Sequence, residues 1–142
     1  MRSKPLTNTK LIFQLSLFGL AMGFATVYII PSNVEPIFWI AIFVFCAIVI
    51  ARQCHNRYFL HGFLVSMLNS VWITTIHIIL FEDYVVNHSN ELQMMEKFPL
   101  PYSMRISMLM IGPVIGAISG IVLGLLCVIA SKIIKNKNHS SS

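Results

Sequence analysis

Residues 108–137 read MLMIGPVIGAISGIVLGLLCVIASKIIKNK, and the architecture follows from this stretch. No Asp, Glu, Lys or Arg interrupts it before Lys132. It therefore exceeds the roughly 20 apolar residues needed to cross about 30 Å of hydrocarbon. Within it, Gly112, Gly116, Gly120 and Gly124 recur at every fourth position. A four-residue step drifts by only about 40° around a helix, so these glycines open one continuous groove. Cys127 and Ser131 prolong it with small side chains. Helices in lipid associate through close backbone approach rather than hydrophobicity, and glycine permits that approach. The stretch reads as a spanning helix made for tight packing, a glycine zipper.

Outward from it, three further apolar stretches give spans near 11–30, 36–53, 59–81 and 107–131. A loop over 82–105 and a tail over 132–142 complete the chain. The fold class expected is all-α: a polytopic, antiparallel four-helix membrane bundle forming one domain over 1–142. Every acidic residue (Glu35, Glu82, Asp83, Glu91, Glu96) lies between spans one and two or between three and four. Arg2, Lys4 and Lys10 precede span one, Arg52 and Arg57 separate spans two and three, and Lys132, Lys135 and Lys137 follow span four. Only Lys97 and Arg105 depart from this pattern. Lys and Arg beside spans stay on the cytoplasmic side, so both termini are expected inside the cell's inner (plasma) membrane. Arg2 and Lys4 before an apolar run also suit a secretory leader, with Gly23 and Ala25 as small cleavage residues. The run from Leu11 to Ile30 is longer than a leader core, which favours a retained span.

Composition narrows the function. The chain has 142 residues, 56% hydrophobic and 11% charged, with mean hydropathy +0.77. No soluble fold of that length hides so much apolar surface. The net charge of +5 is spread over three segments flanking the spans, which suits topology and anionic headgroups rather than nucleic acid. Cys46 and Cys127 lie inside spans and Cys54 in the inner loop, so no outer cysteine pair exists for quinone-coupled thiol oxidation. No carboxylate lies inside a span, where proton-coupled four-helix multidrug exporters need one; span one carries Gln14 instead. No hydrolase motif appears, so the chain is read as non-enzymatic and cofactor-free.

The remaining candidates sit on single helix faces. Ser16, Gly19, Gly23 and Thr26 share one side of span one, so spans one and four are expected to pack together. Short connections suggest that spans one and two form a hairpin and that spans two and three are neighbours. Span two, nearly all Ile, Phe, Val and Ala, should be the most lipid-exposed. Ser66, Asn69, Ser70, Thr74 and His77 occupy roughly 140° of span three, with Gly62 on the same side. Asn69 needs a partner near mid-membrane, expected in the span-four backbone beside Gly116 and Gly120. The indole of Trp72 needs one on another helix. His77, close in sequence to Glu82 and Asp83, is a candidate proton or metal ligand, with His88 as a second weak metal candidate. Pro113 either kinks span four or sits in its first turn. In the external loop, Ser89 or Asn90 should cap a short interfacial helix with Leu92, Met95 and Phe98 on its apolar side, stopped by Pro99 and Pro101. Asn87-His88-Ser89 also fits a glycosylation sequon.

The basic loop before span three, the polar span three, the external loop and a glycine-rich last span ending in Lys132-Ile133-Ile134-Lys135 together resemble a known class. This is the class of small uncharacterised four-helix inner-membrane proteins of bacteria, Bacteroidota especially. The resemblance is one of layout; it implies an inner-membrane bundle and no particular activity. The expectation is a non-catalytic integral membrane protein that binds a protein partner, lipid or its own copy through the external loop and the glycine groove. The alternatives are a small oligomeric channel or transporter along the Ser66–Asn69–Thr74–His77 stripe, and a metal- or haem-binding protein centred on His77 and His88.

Overall fold

A computed structural model describes residues 7–98 and 101–141. Among them the chain forms α1 (Thr9–Tyr28), α2 (Glu35–Gln53), α3 (Tyr58–Ile79), α4 (Phe81–Asn87), α5 (Ser89–Glu96) and α6 (Met104–Ser140). Four of these, α1, α2, α3 and α6, are long and apolar enough to cross a membrane. The first three of these helices end within two residues of the expected stretches. Arg2, Lys4 and Pro99 fall outside the described residues.

Local chemistry sets the ends. The Asn8 side chain accepts from the Leu11 N–H at 3.1 Å and caps α1. Pro36 stands in the first turn of α2, where its missing N–H costs nothing. Ser103 caps α6. The α2–α3 turn passes through Arg57 at φ 51°, the only left-handed non-glycine residue among those described. That conformation closes the turn so that Arg57 O accepts from His61. Ser89 does not cap α5: His88 precedes the helix, and its side chain makes no cap bond.

Two boundaries depart from expectation. The tail is helical through Ser140, so α6 runs 37 residues. At 1.5 Å per residue that is about 55 Å, well beyond a bilayer core of about 30 Å. With Met104 as its first residue, Pro113 stands in the helix interior rather than the first turn. It withholds the N–H that would otherwise serve the Leu109 carbonyl.

Packing departs further. The extensive contacts are α3 with α6, α1 with α3, and α2 with α6; α1 and α2 barely meet, as do α2 and α3. The order in space is therefore α1–α3–α6–α2, neither the hairpin of spans one and two nor the pairing of spans one and four. Both glycine faces turn to α3 instead. A Cβ built on Gly19 would lie 2.5 Å from Asn69 Cα, and one on Gly23 would lie 3.1 Å from Ile76 Cβ. Along α6, Gly112 receives Thr74, Gly116 receives Ser70, Gly120 receives Phe63 and Gly124 receives Phe59. Numbers rise along one helix as they fall along the other, so α3 and α6 are antiparallel; α1 and α3 run parallel. The physical reason is that a groove is filled best by side chains. Two facing grooves would leave contacts unmade, and close packing is the main attraction between helices in lipid.

The apolar core collects where all four long helices meet, near the end bearing Arg52 and Lys132 (the basic end). It comprises Leu11, Ile12, Leu15, Cys46, Ala47, Ile50, Cys54, Val65, Leu123 and Cys127. α2 is the least covered span, with 22% of its apolar window buried against 50% for α1, as its composition suggests.

The glycine contacts rank the substitutions. Gly19→Ala should cost about 2–3 kcal/mol, because its methyl meets backbone that cannot yield. Gly23→Ala should stay within about 1 kcal/mol, since the gain in helix propensity offsets a mild contact. Unfolding midpoints of the purified protein in detergent check this order, and equal midpoints would refute it.

Candidate functional site

The polar stripe of α3 is largely met by neighbouring helices. Asn69, 3% exposed, accepts from the Gly19 N–H of α1 at 2.9 Å, not from α6 as expected. The residue that does reach the α6 backbone is Ser66, whose hydroxyl donates to Gly116 O at 3.2 Å. Ser70 donates within its own helix to Met67 O at 2.7 Å, and Thr74 packs on Gly112. The Trp72 indole finds the partner it requires on α1, donating to Ser16 Oγ at 3.2 Å. Since Gly19 offers an N–H, Asn69 must turn its oxygen toward α1. Its amide nitrogen is then buried without a partner.

At the acidic end the stripe closes under α4. The Thr26 hydroxyl lies 2.8 Å from Met22 O and hydrogen-bonds His77 Nε2 at 2.9 Å. Glu82 and Asp83 bond elsewhere: Glu82 pairs with Arg105 at 3.0 Å, and Asp83 accepts from the Tyr28 hydroxyl at 2.7 Å. The Arg105–Glu82 pair is exposed and contributes at most about 1 kcal/mol. Tyr84 packs against His77 at 4.4 Å between ring centroids and stacks on His88 at 4.2 Å. Burial, with Glu91 and Glu35 nearby, pushes the Tyr84 phenol up to about 12. His88, 4% exposed, bonds Tyr84 O through Nδ1 at 3.1 Å, and its Nε2 is buried without a partner.

Nothing in the sequence pattern announces α4, yet it is what covers this end. The Asn87 amide donates to Val27 O at 2.8 Å and to Asp83 O at 3.1 Å, tying α4 to α1. The nitrogen that a glycan would need is thus engaged. The Ser32 hydroxyl, in the α1–α2 connection, bonds the Glu91 carboxylate of α5 and holds it below its ordinary range. In α5, Leu92 and Met95 are half-buried, while Phe98, beyond the helix end, is 73% exposed.

These contacts bear on each candidate chemistry. Among the described residues no group of three or more His, Cys, Asp or Glu side chains is arranged to hold a metal ion. His77 and His88 both lie against Tyr84, and Nε2 of His77 is held by Thr26. One histidine escaped notice in the sequence. His61, 2% exposed, accepts from Asn8 N–H on Nε2 at 3.0 Å and donates to Arg57 O from Nδ1 at 2.8 Å. It joins the start of α1 to the α2–α3 turn. Its place one turn inside span three was the only available signal.

No family model, curated protein or solved structure matches the chain, so its function rests on this geometry. Thr26→Val keeps the shape but strands a buried imidazole nitrogen, and should cost about 1–3 kcal/mol in unfolding free energy. A variant as stable as wild type would show that this bond contributes nothing. Glu91 titrates below its ordinary 4.5, so its small contribution is present above that pH and lost as pH falls through the folded value. Ser32→Ala should return the carboxyl toward 4.5 in an NMR titration. An unmoved midpoint would remove Ser32 as the cause.

Proposed function

We propose that the chain is a non-catalytic integral membrane protein that acts by binding at its two membrane–water ends. It spans an inner membrane with both termini and the α2–α3 turn in the cytoplasm, and with α4 and α5 at the outer interface. The charge asymmetry supports that orientation. Arg52 and Arg57 lie at one end, and Glu35, Glu82, Asp83, Glu91 and Glu96 belong to segments at the other. Exposed apolar side chains along α2 and α6, including Ile37, Ile40, Leu109, Val114, Ile118 and Ile121, suit a surface solvated by lipid.

The observation that carries the reading is the engagement of the interior. Ser66, Asn69, Trp72 and His77 all bond to α1 or α6 within the bundle. Such bonds are interhelical glue, typically worth under about 1–2 kcal/mol each. They leave the stripe of α3 facing protein rather than a passage. The glycine groove is filled by α3 of the same chain, so it is not free to receive a second copy. What is left for a protein partner, a lipid or another copy is the outer cap, with Val86, Met94, Phe98 and Tyr102 exposed, and the basic end.

Reconstitution tests this. Sealed vesicles containing the protein should hold ion gradients as well as protein-free vesicles do. Flux above that background, abolished by Asn69→Leu in a variant that still melts like wild type, would overturn the proposal. It would make the α3 stripe a conduction path.

A further inference from the structure

At the basic end the protruding turns of α6 run beside the end of α2 and enclose a cleft of about 530 Å³. Arg52, His55, Tyr58, Lys135, Lys137 and Asn138 line its polar side. Ala51, Cys54 and Ile134 complete the lining with apolar surface. The Lys135 ammonium lies 5.1 Å over the Tyr58 ring, which holds that charge against α3. No acidic side chain is in reach. Every Asp and Glu of the chain belongs to position 35 or to segment 82–96. Glu35, which opens α2, is about 25 Å from Arg52 at 1.5 Å per residue. The cleft therefore gathers positive charge with no internal counterion lining it.

The helix faces above the cleft are apolar. Phe45, Ile48 and Arg52 fall on one face of α2 by their spacing, and Ile129, Ile133 and Lys137 repeat every fourth residue on α6. Phe45, Ile48, Ile129 and Ile133 are all exposed. A molecule seated here thus meets cationic hydrogen-bond donors at one end and bare hydrocarbon surface at the other.

We infer that this cleft binds the headgroup of an anionic phospholipid, with its acyl chains lying along the exposed faces of α2 and α6. Arg52 offers a planar fork to phosphate oxygens, while Lys135 and Lys137 act as point charges. A soluble phosphate would use only the polar half of the site. A zwitterionic phospholipid would bring its own cation into a basic cleft. The helical continuation of α6 is what forms the site, since it holds Lys135, Lys137 and Asn138 beside α2. The inference rests on the membrane reading given above, but vesicle flux is blind to headgroup binding, so the two can fail separately.

The test is lipid titration of the purified full chain in detergent, read by native mass spectrometry. Working in detergent keeps charge substitutions from altering membrane insertion. Phosphatidylglycerol should bind one site saturably, and phosphatidylcholine and glycerol phosphate should bind at least about tenfold more weakly. Lys135→Gln with Lys137→Gln should weaken phosphatidylglycerol about 25-fold, near fivefold per charge. Lys10→Gln with Lys132→Gln removes the same charge outside the cleft and should change it by less than about twofold. All four lysines are exposed, and unchanged melting confirms that each variant is folded. Equal losses in the two pairs would reduce the effect to diffuse attraction and overturn the site. So would equal binding of phosphatidylcholine, glycerol phosphate as tight as the lipid, or no retained phosphatidylglycerol at all.

Discussion

The bundle depends on the backbone approach of α3 to its two neighbours. Where water is absent, helices gain little from apolar surface alone, and pairing is set by how closely main chains can come and which polar groups they share. α3 meets this demand on both sides. Asn69 Cα sits against Gly19 of α1, and Gly62 lies opposite Gly124, whose Cα would be 2.9 Å from a Cβ at Gly62. α2, whose Trp39 indole bonds its own Glu35 and which has no charged residue from there to Arg52, is seated chiefly against α6. The dependence is thus serial. Loosening α3 from α6 would part an α1–α3 pair from an α6–α2 pair, whereas loosening α1 would leave the α3–α6–α2 part in place.

The two ends of the bundle are built differently. Toward the basic end the helices converge on an apolar core that includes Ile50, Val65, Leu123 and Cys127, each fully buried. Toward the acidic end the buried polar groups Thr26, Thr74, His77, His88 and Ser107 sit among fewer buried apolar ones, Val27 and Ile76. Hydrogen bonds and ring stacking carry a larger share of the packing there. Such contacts contribute less per residue than a filled core. The acidic end is accordingly the part expected to open first, and it is also the end that carries the exposed apolar cap residues Val86 and Phe98.

The spans were legible because length and apolarity are local properties that any window of sequence reveals. The sparse covering of α2 and the need of Trp72 for a partner followed in the same way. Helix pairing was not legible. A helical wheel shows which face is small or polar, but not which neighbour fills it. Gly19 and Gly116 therefore looked like partners for each other, although each receives α3. Asn69 was correctly read as needing an acceptor or donor across an interface, and the wrong helix was chosen for the same reason. The helical tail was missed because Lys132, Lys135 and Lys137 end the apolar run without ending helix propensity. Neither Gly nor Pro follows Lys132 to stop it. α4 was missed because seven residues are too few to show a period.

Asn69 shows why a polar stripe in a span is a weak sign of a passage. Its side chain has an oxygen and a nitrogen, and Gly19 uses only the first. A leucine would fill similar space without leaving a buried N–H unmet, so stability by itself does not explain an asparagine here. Register does. α1 and α3 run parallel with smooth glycine contacts at Gly19 and Gly23, and such a seam resists sliding poorly. One hydrogen bond from a main-chain N–H to a fixed side chain distinguishes a single register from its neighbours, as buried polar residues do in coiled coils at some expense in stability. The same register aligns Ser16 with Trp72 and Thr26 with His77. These polar residues therefore have a sufficient role in positioning α1. The chemistry open to a ligand lies where positive charge is left without a counterion, at the basic end.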